Sequence, residues 1–186
     1  MPRIIVFDTE TTGLLKPKRV PLEHQPKIIE IGAVVIENTK GGKGVIIEKV
    51  SQLLDPKEPI SEVITKITGI TNDDLKGQPS FAEYHPYLKQ VFAGSDAIIC
   101  HNAPFDVAML GNELNRLGTE VNRAFPWPPQ IICTVREFHH KFGFNPNLQL
   151  LYKTVMGKEL EQTHRAVDDA VALTDIIFET GFEKFI

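Results

Sequence analysis

Acidic residues with the spacing of a cation site recur in three segments far apart in this chain. Asp8 and Glu10 flank Thr9 at the end of an apolar run. If one strand carries all three, alternation places both carboxylates on the same face. There they repel and raise each other's proton affinity unless a cation shares them. A solvated strand end would carry the same triplet. Asp106 closes the segment His101-Asn102-Ala103-Pro104-Phe105-Asp106 and precedes Leu110 by four, close to the packed face of a helix. An acid in a first helical turn is also favoured by the helix terminus alone. His101 and Asn102 could brace that crossing by hydrogen bonds, and Phe105 reads either as core or as an aromatic contact for a base or sugar.

The C-terminal segment offers a choice. Asp169 precedes Leu173 by four and Ile176 by seven, beside the apolar stripe, whereas Asp168 aligns with Ala172 and Asp175 on the wet side. A half-buried carboxylate needs a partner, so Asp169 is the ligand and Asp168 a surface residue. His164 stands five positions before Asp169, where a starting loop can swing the ring over a site. Alone it would be a cap or a surface residue; its chemical role is to take a proton from water near neutral pH. Taken together, Asp8, Glu10, Asp106 and Asp169 can hold two hard cations, Mg²⁺ or Mn²⁺, around one phosphate. Oxygen ligands without clustered cysteines argue against structural zinc. The chemistry that results is phosphodiester hydrolysis.

These residues need elements to position them. Arg3 to Phe7 predicts a strand ending near Asp8, Lys27 to Ile36 a second and Val45 to Leu54 a third, with Gly41 to Gly44 as a turn tip. Such a series is an antiparallel meander. The Leu14 to Pro26 segment, with three prolines and the cations Lys16, Lys18 and Arg19, predicts a loop: a phosphate contact or a solubilising tip. Ser61 caps a short helix to Ile67, and Gly69 to Thr71 is a turn. Ser80 with Glu83 forms a capping box before an apolar helical stripe. Ala97 to Cys100 is a strand, Phe105 to Leu117 a helix stopped by Gly118, and Ile131 to Cys133 a strand after the rigid Phe125 to Pro129 turn, whose Trp127 covers the core or stacks on a base. Thr134 caps a helix towards Phe142, Asn147 another ending at Gly157, and the last runs from about His164 to Glu179. The pattern is a single α/β or α+β domain over residues 1–186 with a mixed sheet.

Composition agrees with an ordinary globular chain: 186 residues, 42% hydrophobic and 24% charged, with a net charge of −4. The acidic balance argues against a static duplex-binding module and leaves room for an enzyme whose acids hold cations. No apolar run approaches the roughly 20 residues of a membrane span. Cys100 and Cys133 both lie in apolar runs and read as reduced core residues, which with the absence of a secretory leader points to the cytoplasm.

The segments Phe7-Asp8-Thr9-Glu10-Thr11-Thr12-Gly13-Leu14, His101 to Asp106, and His164-Arg165-Ala166-Val167-Asp168-Asp169-Ala170 resemble, in order and separation, the three motifs of the DEDDh (DnaQ-like) exonuclease superfamily, which includes the proofreading subunit of bacterial DNA polymerase III. Ile67 to Thr71 is similar to its intervening loop. The resemblance implies a ribonuclease H-like fold, two metals on Asp8, Glu10, Asp106 and Asp169, His164 as general base, and release of 5′-mononucleotides from a 3′ end. It places Thr9 and the Thr68, Gly69, Ile70 and Thr71 loop near the terminal nucleotide. Ile132-Cys133-Thr134 and Leu151-Tyr152-Lys153-Thr154 are more similar to the exodeoxyribonuclease X group than to polymerase-bound subunits, and no C-terminal tail suggests a replicase partner. The Leu14 to Pro26 loop is longer than this family's usual link. Arg165 meets a substrate phosphate or pairs with Asp168 or Asp169. The expected substrate is a single-stranded, frayed or mismatched DNA 3′ end. The alternatives are an exoribonuclease or oligoribonuclease, and a catalytically silent nucleic-acid-binding module.

Overall fold

The β-branched run after Pro2 forms β1, Arg3–Thr11, which continues past the expected end and so carries Asp8, Thr9 and Glu10 on one strand. The computed structural model describes residues 2–38, 44–161 and 164–185. Strands β2, Ile28–Asn38, and β3, Gly44–Leu53, complete the antiparallel meander. The expected tip between them, residues 41–43, lies outside the described residues, and Gly44 opens β3. On the other side of β1, strands β4, Ala97–Cys100, and β5, Gln130–Cys133, run parallel to it, giving the order β3-β2-β1-β4-β5. The mixed sheet expected from the sequence is the one observed.

Helices follow the cap signals closely. Ser61 caps α1, Glu62–Thr68, and Gly69 ends it at φ 72°. The predicted turn at Gly69 to Thr71 leads into a further short helix, α2, Asn72–Leu75, for which Thr71 and Asp74 form a capping box. Ser80 and Glu83 make the same reciprocal bonds before α3, Phe81–Phe92, which continues through Pro86. Helix α4, Ala103–Leu117, begins two residues earlier than expected, with Pro104 in its first turn where a missing N–H costs nothing. Gly118 stops it and α5, Thr119–Arg123, starts at once. Helix α6, Thr134–Phe142, has Thr134 inside it and not as its cap. The Thr134 hydroxyl instead lies 3.1 Å from Nδ1 of His101 and 3.5 Å from the Cys100 carbonyl, tying α6 to the end of β4. Asn147 caps α7, Leu148–Met156. The last helix, α8, is Ala166–Thr180, so His164 precedes it. Single 3-10 turns at Leu22–His24 and Phe182–Phe185 were not expected.

Alternation along β1 divides the core between two layers. Ile5 and Phe7 pack with Leu88 and Phe92 of α3 and Met109, Leu110 and Leu114 of α4. Ile4 and Val6 pack on the other face with Leu151 of α7 and Ala170, Leu173, Ile176 and Ile177 of α8. Each such fully buried side chain contributes about 1.5–3 kcal/mol. Trp127 lies edge-on to Phe92 and Phe125, with its indole N–H donating to Asn122, so it covers this core. Cys100 and Cys133 are buried and free. Among the described residues no helix is long and apolar enough to cross a membrane.

Candidate active site

The end of β1 is where the two layers meet. Asp8 and Glu10 extend the face of Ile4 and Val6 and therefore point towards α8, whose first turns present Asp169. One carboxylate oxygen from each of Asp8, Glu10 and Asp169 lies within 4.8 Å of the others. Asp169 is 9% exposed while its neighbour Asp168 faces solvent, as the stripe predicted. Asp106 comes from the opposite layer at the start of α4. It is buried, and the Thr9 hydroxyl donates to its Oδ1 at 2.9 Å, so the residue between the two β1 acids fixes the third.

Electrostatics reflect this crowding. Burial, then the charges of Asp106, Asp169, Glu10 and Glu30, pushes the Asp8 carboxyl well above the ordinary range. Glu10 is pushed up to about 8, first by burial and then by Asp169, Glu30 and Asp106, with Arg165 opposing. Burial raises Asp106 to about 7 against the Thr9 hydrogen bond. Acids so placed bind protons tightly unless a cation shares them. Their hard oxygen donors fit a divalent cation such as Mg²⁺ or Mn²⁺, and among the described residues no soft ligand joins the set.

Arg165 has its closest partner in a residue that the sequence reading did not single out, with Asp168 adding to the negative charge around it. Its guanidinium forks onto Glu30, with Nε 3.0 Å from both carboxylate oxygens and Nη2 2.7 Å from Oε1. Glu30 is fully buried, lies directly opposite Glu10 in the β1–β2 ladder, and also accepts the Ala166 amide at 3.0 Å. Two like charges opposite one another would destabilise the pair of strands, and Arg165 offsets that repulsion. Sequence reasoning missed Glu30. The available signal was an acid in the middle of the apolar run Ile28-Ile29-Glu30-Ile31, a place where a charge persists only when paired.

Gly32, opposite Asp8, completes the docking of α8. A Cβ there would lie 2.1 Å from the carbonyl carbon of Ala166 and 2.3 Å from the Val167 nitrogen. The first turn of α8 thus rests directly on β2, which brings Asp169 to β1. His164, just outside that turn, is exposed and has φ 51°, a left-handed conformation uncommon outside glycine in which His, like Asn and Asp, is enriched. His101 ties the end of β4 to the segment before α7, with Nε2 3.1 Å from the Pro146 carbonyl. Phe105 packs partly buried against the core.

The Thr68 to Thr71 loop has its side chains engaged internally. Thr68 donates to the Ile64 carbonyl and accepts from the Ile70 amide, Ile70 is buried, and Thr71 caps α2. Gly69 and Thr71 are its exposed residues. Hydrogen bonds from the Thr71 hydroxyl and amide hold the Asp74 carboxyl below its ordinary range, and the Arg165 charge adds a smaller effect in the same direction.

Comparison with known proteins matches this geometry to a family. The Exonuclease family model matches residues 5–177. A DNA polymerase III PolC-type of Clostridium perfringens is 34% identical over 180 residues, 97% of this chain and 11% of the relative, so the chain spans about a ninth of the curated relatives it matches. Exonuclease X in complex with 5′ overhanging duplex DNA superposes with a TM-score of 0.59 and 28% identity, covering 95% of this chain and 91% of the other. The nuclease domain of 3′hExo, a DEDDh family member bound to rAMP, gives 0.68 at 18% identity over 96% and 90% of the two chains. That last likeness is one of fold.

Proposed function

The chain belongs to the Exonuclease family, as a DEDDh-type 3′–5′ exonuclease, and on that premise we propose that residues 1–186 form one domain that removes 5′-mononucleotides from DNA 3′ ends. The observation that carries the reading is the convergence of Asp8, Glu10 and Asp169 from β1 and α8, with Asp106 held beside them by Thr9. In this proposal Asp8, Glu10, Asp106 and Asp169 hold two divalent cations. Those ions, when bound, would supply Lewis-acid polarisation of the scissile phosphate and of the attacking water. His164, exposed two residues ahead of α8 and five before Asp169, accepts the proton of that water. Thr9 fixes Asp106, and the Glu30–Arg165 pair fixes the turn from which His164 and Asp169 depart.

DNA is preferred as substrate because the relative at 28% identity binds duplex DNA and the PolC-type relatives are DNA polymerases. The terminal nucleotide must leave its pair to reach buried carboxylates, so single-stranded, frayed or mismatched ends react first. Gly69 and Thr71, the exposed residues of their loop, border that nucleotide in this proposal. The test is product analysis on 5′-labelled and 3′-labelled DNA and RNA oligonucleotides with Mg²⁺ or Mn²⁺. Stepwise shortening from the 3′ end, faster on DNA, is expected. Faster loss of RNA would assign an exoribonuclease, and binding without cleavage in either metal would assign a silent binding module.

A further inference from the structure

The long Leu14 to Pro26 loop is a built structure. Gln25 is 8% exposed, and its side chain bonds four backbone groups of the loop: its Oε1 accepts from the Lys16 amide, and its Nε2 donates to the carbonyls of Lys16, Pro17 and Val20. Arg116 of α4 then donates to the carbonyls of Leu22, Gln25 and Pro26, while its other nitrogen pairs with the buried Glu113. Loop and helix are bolted together, so the ordering cost that a flexible binding loop would incur is already met in folding.

Between them lies an open cavity of about 670 Å³, lined by Lys16, Lys18 and Arg19 on the loop and by Asn112 and Asn115 on α4. Among the described residues no carboxylate pairs with those three cations. Glu23 lines a neighbouring hollow with Glu58, which Lys16 also borders, whereas Lys18 and Arg19 line the groove alone. A chain of net charge −4 therefore concentrates unpaired positive charge in one rigid groove. Asp106 is on the same helix, and Asn112 and Asn115 stand about 9 to 14 Å further along its axis. At a rise of about 3.4 Å per nucleotide, that is about three to four nucleotides.

We propose that this groove holds the phosphodiester backbone of the substrate strand about three to four nucleotides 5′ of the terminal one. The inference rests on the exonuclease reading for its occupant, but its test does not require turnover. Lys16, Lys18 and Arg19 neutralise the phosphates, and the amides of Asn112 and Asn115 supply neutral donors. Contacts to phosphates carry no sequence information, so the groove holds the strand whatever its sequence.

The experiment measures binding of a single-stranded oligodeoxynucleotide of about a dozen nucleotides by fluorescence anisotropy in Ca²⁺ across a salt series. Replacing Lys16, Lys18 and Arg19 by Ala should reduce the magnitude of the salt slope by about two and weaken binding roughly ten- to a hundredfold at about 0.1 M salt. Hydrolysis of the p-nitrophenyl ester of thymidine 5′-monophosphate, too short to reach the groove, should be unchanged, as should the melting temperature. Lys16→Arg with Lys18→Arg should retain wild-type affinity, and Lys16→Gln with Lys18→Gln, which keeps much of the side-chain bulk, should lose it in part. An unchanged slope and affinity would overturn the proposal. A parallel fall in ester hydrolysis would do the same, because the loop would then be acting on the catalytic centre. If the wild-type protein hydrolysed neither ester nor oligonucleotide, the exonuclease reading would fail while the binding series still decided the groove.

Discussion

At the scale of single residues, adjacent acids have different surroundings. Asp169 shares its oxygens' space with Asp8 and Glu10, whereas Asp168 is exposed. Asp169→Asn keeps the shape and removes the charge that a cation needs. It should lower the rate of nucleotide release by roughly two to three orders of magnitude, and Asp168→Asn should leave it near the wild-type value, both read from end-labelled oligonucleotides. An essential Asp168 would mean that α8 is rotated from the register described. Glu30 presents a different case, since it touches no proposed substrate group. Glu30→Gln replaces a forked ion pair with neutral hydrogen bonds. The Arg165 side chain is 39% exposed and can hydrate in compensation, so the cost should be about 1–3 kcal/mol in urea unfolding and below that of a wholly buried pair. Turnover should fall as well, because the turn bearing His164 and Asp169 loses its tie to β2.

At the scale of elements, the site depends on how closely α8 approaches the sheet. Gly32→Ala would put a methyl group against backbone atoms of Ala166 and Val167, which cannot turn aside as a side chain can. The helix must lift, costing about 3 kcal/mol or more in thermal or urea unfolding and moving Asp169 away from β1. Gly111→Ala in α4 is the control: a Cβ there meets nothing within 4 Å, and the change should stabilise by about 0.5–1 kcal/mol through helix propensity. These two glycines look alike in the sequence. Periodicity located Asp169 rather than Asp168, and caps located the starts of α1, α3 and α7, because those signals are local. The Glu30–Arg165 pair spans 135 positions, and no local signal tells an acid in a strand which cation will reach it. The α2 helix escaped for the opposite reason: at four residues it has no period to read, only the Thr71–Asp74 box. Thr134 has the residue type of a cap, but the neighbouring β4 end claimed its hydroxyl.

For the whole molecule, the acid cluster links folding to pH and to metal. Glu10 and Asp106 move from ordinary values of 4.5 and 3.8 to about 8 and about 7 on folding, and Asp8 moves in the same direction. A carboxyl whose affinity for protons is raised in the folded state binds more protons there than in the unfolded chain throughout that window. Stability must therefore be greatest at and below about pH 4 as far as these groups are concerned, and decline as the pH rises towards 8. With EDTA present, the melting temperature should fall between pH 5 and pH 8, while the two-layer apolar core keeps the protein folded. Mn²⁺ or Mg²⁺ competes with those protons, so its stabilising effect should grow over the same interval and be small at pH 5. Glu10→Gln separates this from a general acid or base effect. It should raise the metal-free melting temperature at pH 8, because one buried repulsive charge is gone, and diminish the response to added metal. A metal-free profile that is flat from pH 5 to 8, or a Glu10→Gln protein less stable than wild type in EDTA at pH 8, would show that the carboxylates are not packed against one another as described.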